Sequence, residues 1–319
     1  MKGAKEPQDR AEAREEVAAA GGSSSVVRPR MRQSFRDVIT SRDNRWLKMF
    51  RTALRGTGPK GNEPIGVEGA KLVEEAVLSG LDTEALLLTD SSERLLEVIL
   101  RAASESATGI PWTRILRTTN KLFVSVAGTE TPQGVAALFQ QRPWSFDDVL
   151  RGAPRRDGSL RGDPALVVVL AGVQDPGNVG TIVRSAEAFG ATGVISTRGT
   201  ADPWSPKALR ASAGSALRLP LLRGWAIPVL LAQLRMAQVK VYAAASRPGA
   251  GAGSFIVGQA DLRAPAAIFI GNEGAGLPGE VVRAADVTVS IPTNEVESLN
   301  AGVAASIVLY EASRQRGLH

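Results

Sequence analysis

The chain has no cysteine. That excludes disulfides, thiolate metal sites and every cysteine nucleophile. Its single histidine is His319, which leaves no histidine for a general base, a Ser-His-Asp triad or a His-based metal site elsewhere in the chain. Aromatic residues make up 5% of the chain, which argues against an aromatic RNA-binding sheet. No apolar run approaches the roughly 18 residues of a membrane helix; Ala165–Val173 is among the longer ones. The N-terminus shows no apolar core of a signal peptide, so neither a leader nor a membrane partner is expected. A cytoplasmic setting follows as the expectation, and the lack of cysteine fits it. Chemistry here must run on Asn, Arg, Glu, Ser, Asp, Lys and backbone groups.

What is present is ample for a folded protein: 319 residues, 44% of them hydrophobic. That suits two domains of ordinary size or one large one. The net charge is +6, and it is localised. Residues 31–60 hold eight basic side chains (Arg32, Arg36, Arg42, Arg45, Lys48, Arg51, Arg55, Lys60) against Asp37 and Asp43, a surplus equal to that of the whole chain. Such a segment fits a polyanion partner, because cations near phosphates release condensed counterions; a solvated basic helix face is the plainer alternative. Trp46, Leu47, Phe50 and Leu54 recur at helical spacing as a core stripe, with Lys48, Arg51 and Arg55 on another face.

Four segments follow. Residues 1–35 read as a disordered tail, rich in Ala, Glu, Gly and Ser. Residues 36–142 alternate helices (67–79, 92–103) with short strands (85–88, 122–127, 135–139), a compact α/β domain. Residues 143–164, with Arg151, Arg155, Arg156 and Arg161 among prolines and glycines, read as a linker. Residues 165–319 alternate strands (165–173, 193–196, 239–245, 266–270, 287–291) with helices (178–189, 208–217, 228–237, 298–316). That order predicts a parallel sheet covered on both faces.

Three turns in this last segment carry the chemistry. Asp175-Pro-Gly-Asn178-Val-Gly180 opens a helix, with Asn178 as the predicted N-cap and Gly180 at a close approach. Arg184 points away from its packed stripe; by spacing alone it would pair with Glu187 at the surface. Gly271-Asn-Glu-Gly-Ala-Gly-Leu277 follows a strand and is neither a P-loop nor a GxGxxG turn. Ile291-Pro-Thr293 and Glu297-Ser-Leu-Asn300 lead into the last helix, where Ser298 is a possible cap. Leu299, Val303, Ile307 and Tyr310 are expected as its buried stripe, and Ala301, Gly302, Ala304 and Ala305 permit a close neighbour.

In this order, Asn178 to Gly190, Ile270 to Leu277, Ile291-Pro292, Glu297 to Asn300 and Val308 to Ala312 resemble the SPOUT superfamily, in its SpoU (TrmH-like) branch of RNA ribose 2′-O-methyltransferases. Residues 36–142 resemble the family's L30e-like RNA-binding module through Gly66-Val-Glu-Gly69 and Thr131-Pro-Gln-Gly134, and Thr293 departs from a common Met. The resemblance implies an α/β fold: a parallel-sheet domain with a deep trefoil knot, preceded by a smaller α/β domain. It implies S-adenosylmethionine held by Ile270, Gly271, Asn272, Ile291 and Leu299, and a homodimer whose partner completes each site. It implies catalytic roles for Asn178, Arg184, Glu273, Ser298 and Asn300. A guanidinium gives up its proton only at great cost and is a poor base, so Arg184 is expected as an electrostatic activator of the ribose hydroxyl. Asn178, Glu273 and Asn300 would position, and Ser298 would relay a proton. Arg45, Lys48, Arg51 and Arg55 are the expected RNA contacts. The expected substrate is large-subunit rRNA, with tRNA as the nearest variant. A non-catalytic RNA-binding or ribosome-assembly factor on the same fold is the competing class. A dehydrogenase is disfavoured by the missing fingerprint.

Overall fold

The computed structural model describes residues 38–105, 114–154, 162–245 and 253–317. The expected tail lies outside these residues, as do Arg155, Arg156 and Arg161 of the expected linker.

The first sheet has five strands: β1 (Val38–Ile39), β2 (Ile65–Glu68), β3 (Thr83–Thr89), β4 (Ile115–Thr118) and β5 (Val135–Phe139). Their order is β1-β4-β3-β5-β2. β5 runs antiparallel to both neighbours, and the other pairs are parallel. Four helices cover it: α1 (Arg45–Arg55), α2 (Ala70–Leu78), α3 (Glu93–Glu105) and α4 (Asn120–Val126). The predicted stripe of α1 holds for Leu47, Phe50 and Leu54, which are buried against Leu122, Phe123 and Val126 of α4 and Leu87 and Leu138 of the sheet; Trp46 is half-buried beside them.

Two expectations fail here. Residues 122–126 lie in the helix α4, with Ala127 as its C-cap, and not in a strand. Thr119 accepts a hydrogen bond from the Leu122 N–H and caps it, and Leu122, Phe123 and Val126 then share one helical face. Val67 and Glu68 belong to β2, because Gly69 (φ 95°) turns the chain before α2 begins.

The second sheet has seven strands, all parallel: β6 (Leu166–Ala171), β7 (Gly193–Thr197), β8 (Leu221–Trp225), β9 (Lys240–Ala245), β10 (Ser254–Ile256), β11 (Ala266–Gly271) and β12 (Val287–Ser290). Their order is β10-β12-β9-β11-β6-β7-β8. Every residue of β6 is buried, as a central strand covered on both faces requires. The helices are α5 (Phe146–Arg151), α6 (Pro176–Ala188), α7 (Pro206–Ala211), α8 (Ser215–Arg218), α9 (Ile227–Met236), α10 (Gly279–Ala284) and α11 (Ala301–Gln315).

The expected linker contains α5, closed by a Ser145–Asp148 capping box, and its Val149 is buried in the core of the second sheet. The helix expected over 208–217 is two short ones, parted where Ala213 (φ 48°) and Gly214 (φ 86°) reverse the chain. The last helix starts at Ala301, not Ser298, because Asn300 caps it. Its buried face is Ala301, Ala305, Val308, Leu309 and Ala312. Val303 and Tyr310, expected inside, are 48% and 58% exposed.

Arginines tie the two sheets' layers together. Arg218 pairs with Glu75 of α2 (3.0 Å) and Glu187 of α6 (2.7 Å). Arg223 lies over the Trp204 ring, pairs with Asp202, and donates to the Pro59 carbonyl (3.0 Å) and the Gln141 amide oxygen (2.9 Å). Among the described residues, no helix is long and apolar enough to cross a membrane.

Candidate active site

The site forms where β6, β11 and β12 end on the same edge of the sheet, the edge at which open parallel sheets bind ligands. After β6, the chain turns through Gly172 (φ 78°) to Asp175, and Asp175, not Asn178, caps α6 by accepting from the Gly177 N–H (3.2 Å). Pro176 at the first helical position suits that start. Lys207 holds the cap carboxylate at 2.6 Å, and its hydrogen bond is the main reason the Asp175 carboxyl lies below its ordinary range. The Asp-Pro-Gly signal was present in the sequence. Asn178 is thereby free to reach across the site.

It does so in both directions. Its Nδ2 donates to Glu273 Oε1 (2.8 Å), and its Oδ1 accepts from Asn300 Nδ2 (2.9 Å). A carboxylate only accepts, so the amide orientation of Asn178 is fixed by chemistry. Asn300 Oδ1 accepts from the N–H groups of Gly302 (2.9 Å) and Val303 (3.3 Å), which anchors it to α11. Three strand-end loops are thus joined by one chain of side chains, Glu273–Asn178–Asn300. Burial pushes the Glu273 carboxyl up. The Asn178 amide and the backbone N–H groups of Glu273, Gln174 and Asp175 outweigh it, and the carboxyl lies below its ordinary value.

The turn after β11 is equally constrained. Asn272 and Gly276 exchange two backbone hydrogen bonds of 3.0 Å. Asn272 Oδ1 accepts from the N–H groups of Gly274 and Ala275 (2.9 Å each), while its Nδ2 donates to the Gly172 carbonyl (2.9 Å). Gly271 admits this fold-back: a Cβ there would stand 2.5 Å from the Gly276 carbonyl carbon. Gly180 likewise lets α6 lie on α7, where a Cβ would meet Ala211 Cβ at 2.5 Å.

Together these loops enclose a cavity of about 540 Å³. Ile270, Gly271, Asn272, Ile291 and Leu299 all line it, as do Glu273 and Ser298. Asn178 and Asn300 are hydrogen-bonded at its rim. Ala244 near the end of β9 and Val289 of β12 also line it; sequence reading missed both, because a small or apolar strand residue gives no sign of its own that it faces a ligand.

Arg184 stands apart. It is exposed on α6 and does not line the cavity of its own chain. Glu187, the partner expected from spacing, is engaged by Arg218 through Nε and Nη2 at 2.7 Å each. The expected RNA cations are partly committed. Arg45 lies 5.2 Å over the Trp46 ring, and Lys48 pairs with Asp43 at 3.2 Å. Arg51 donates to the Ser125 carbonyl (3.4 Å), and Arg55 to those of Ala127 (2.8 Å) and Val124 (3.1 Å), at the C-terminal end of α4. Among the described residues, no group of His, Asp and Glu could hold a metal ion.

The profile of the SpoU rRNA Methylase family matches residues 165–310, and that of the MRM3-like substrate binding domain matches residues 62–137. The chain is 30% identical to an uncharacterized tRNA/rRNA methyltransferase of Synechocystis sp., over 87% of this chain and 94% of the relative. It is 32% identical to the 23S rRNA (guanosine(2553)-2'-O)-methyltransferase of Bacillus subtilis, over 76% of this chain and 86% of the relative. Among solved structures, an rRNA methyltransferase from Sinorhizobium meliloti superposes with a TM-score of 0.71 and 29% identity, over 87% of this chain and 97% of that one. The SpoU methyltransferase AviRb from Streptomyces viridochromogenes, solved with AdoMet, gives 0.68 and 26%, over 86% and 100%. The ordered strand-end loops, the cavity they enclose and these similarities across most of the chain have one reading: the protein belongs to the SpoU rRNA methylase family.

Proposed function

We propose that this protein is an S-adenosylmethionine-dependent RNA ribose 2′-O-methyltransferase acting on large-subunit rRNA. The observation that carries the reading is the cavity lined by Ile270, Gly271, Asn272, Ile291 and Leu299, with Glu273–Asn178–Asn300 hydrogen-bonded along its rim. Its volume falls within the roughly 300–1,000 Å³ of small-molecule sites. Its walls suit the cofactor. Ile291 and Leu299 offer apolar contact, the tight turn at Gly271 brings backbone groups close, and the ionised Glu273 favours a cationic ligand.

Bound S-adenosylmethionine supplies a methyl carbon carried on a sulfonium. The protein's own task is to make a ribose hydroxyl nucleophilic and to aim it. A guanidinium keeps its charge at working pH, so Arg184 acts by stabilising the developing alkoxide beside it. Asn178 and Asn300 hold the rim rigid, which is the positioning part of the rate. Ser298 Oγ, at the cavity wall, is the proposed relay for the hydroxyl proton.

Because Arg184 lies outside the cavity of its own chain, the reading includes a homodimer in which the partner delivers it. The exposed positions Thr181, Arg184 and Ala188 of α6, and Val303 and Tyr310 of α11, support that face. The two helices are held side by side by the Ser185–Ser306 hydrogen bond (2.7 Å) and the Phe189–Tyr310 ring contact. The proposed division of labour gives residues 36–142 to RNA and residues 165–319 to methyl transfer. The reading also includes the family's trefoil knot, with α11 threaded to lie on α6, and a cytoplasmic setting.

The test is incubation with labelled S-adenosylmethionine and unmodified rRNA and tRNA, followed by nucleoside analysis. A ribose-methylated nucleoside from rRNA is expected. Product from tRNA alone moves the substrate, and no ribose-methyl product from either pool overturns the reading.

A further inference from the structure

Beside the cofactor cavity lies a second hollow that the mechanism does not use. It is a cleft of about 700 Å³ between the two sheets' layers, bordered by Arg55, Thr57 and Thr129 on one side and by Gln174, Lys207 and Arg210 on the other. Its floor adjoins the active site. Pro176 also lines the cleft, two residues before Asn178, and the Gln174 N–H donates to Glu273 Oε2 (3.4 Å). A third hollow of about 500 Å³ continues past Arg210 and is lined by Gly69, Thr131 and Gln133, by Glu68, and by Lys71, which pairs with Glu75 of the same wall at 3.1 Å. Arg210 therefore stands at the junction of both hollows.

The charges along this track differ in how they are used. Asp202 is taken by Arg223, and Lys207 is paired with Asp175. Arg55 caps α4 through two of its donors. Glu130 is exposed on the cleft's wall. Arg210 is exposed at the end of α7, and it takes no acidic or carbonyl partner among the described residues. A guanidinium presents five donors in a planar fork, which matches a phosphate. The exposed Thr57 hydroxyl lines the same wall and suits a phosphate or ribose oxygen, whereas the Thr129 hydroxyl is donated to Glu68 and the buried Ser205 caps α7.

Resting on the ribose-methylation reading, we infer that the track is the path of the substrate RNA backbone: from the Gly69 and Gln133 turn, past Arg210, to the start of α6. Arg210 is its central phosphate contact and Lys207 the next cation toward the reacting ribose. The RNA is thus gripped by the seam between the two layers and delivered to the rim of the cavity by the floor they share.

The test compares the full-length wild-type chain with R210Q and R210K, using unmodified 23S rRNA transcript as the probe. RNA affinity is measured from about 50 to 200 mM salt. Glutamine is expected to weaken binding about tenfold. It should make the slope of log affinity against log salt shallower by about 0.7–0.9, the release accompanying one phosphate contact. R210K should keep the slope. The KM for RNA should rise in R210Q with kcat unchanged, and S-adenosylmethionine affinity by calorimetry should equal the wild type, which also shows that the variant is folded. A wild type that binds and methylates the RNA, beside an R210Q of equal affinity and slope, overturns the track alone. A wild type that does neither overturns the ribose-methylation reading, and the track with it.

Discussion

Replacing Asn178 by alanine tests whether the three strand-end loops are held as one unit. The side chain makes two hydrogen bonds, to Glu273 at 2.8 Å and from Asn300 at 2.9 Å. A hydrogen bond to a charged partner contributes about 1.5–3 kcal/mol and a neutral one about 0.5–1.5 kcal/mol. Both bonds lie at an exposed rim where water can take over, so the low ends apply, about 2 kcal/mol together. That energy organises the loops around 272–276 and 293–300, which wall the cavity. Cofactor affinity should therefore fall about 10- to 30-fold, at 1.4 kcal/mol per factor of ten. Isothermal calorimetry with S-adenosylmethionine reads this directly, with thermal unfolding as the control for the fold. N178D is the sharper variant. It keeps the size of the side chain but sets a second carboxylate against Glu273, so affinity at neutral pH should drop further and recover as the pair takes up a proton. An N178D protein that binds the cofactor as well as the wild type refutes the reasoning.

Other outcomes follow from the same contacts. The Glu273 carboxyl is held below its ordinary 4.5 by the Asn178 amide and backbone N–H groups, which outweigh burial. A depressed carboxylate lends its stabilisation fully above its unfolded value and loses it as pH falls through the folded one. The stability that Glu273 contributes, read as the difference in urea unfolding between wild type and E273Q, should then be level from about pH 8 to about 5 and decline only below that; a decline already under way at pH 6 contradicts the assignment. G180V would set side-chain atoms against Ala211 Cβ, 2.5 Å from the added Cβ, and the Ser212 nitrogen at 2.9 Å. The expected loss is about 1–3 kcal/mol in urea unfolding, and an unchanged midpoint counts against the α6–α7 contact. R55M removes two donors from the carbonyls that end α4. It should lower stability by about 1 kcal/mol, and undiminished stability would free Arg55 for RNA alone.

Glycine positions and strand ends were legible because they are local. Gly180, Gly271 and the continuous apolar run of β6 announce close contact and burial wherever they stand. The cofactor residues were legible only as an ordered set of motifs. Choices between equivalent local options were not. Leu122, Phe123 and Val126 fit an alternating strand or a helical face, and the Thr119 cap together with packing on α1 decided for the helix. Asp175 and Asn178 could each cap α6, and Lys207, distant in sequence, settled it for Asp175. The apolar positions of α11 fit a core stripe by spacing, yet Val303 and Tyr310 face outward because small residues pack inward: a Cβ on Gly302 would stand 3.0 Å from Thr181 Cγ2. Charge patterning found the basic segment but not the contacts of Arg51 and Arg55, since the carbonyls that hold them lie 69 to 74 residues away.

In the proposed dimer one chain supplies the cavity and its partner supplies Arg184. Mixed dimers test it most directly. R184A keeps an intact cavity, and L299R blocks the cavity while keeping Arg184; each alone should be inactive. Refolding the two together in equal amounts yields one complete site in each mixed dimer, so methyl transfer to rRNA should recover to about a quarter of the wild type. Mixed dimers that stay inactive, or an R184A protein that is active by itself, contradict the account.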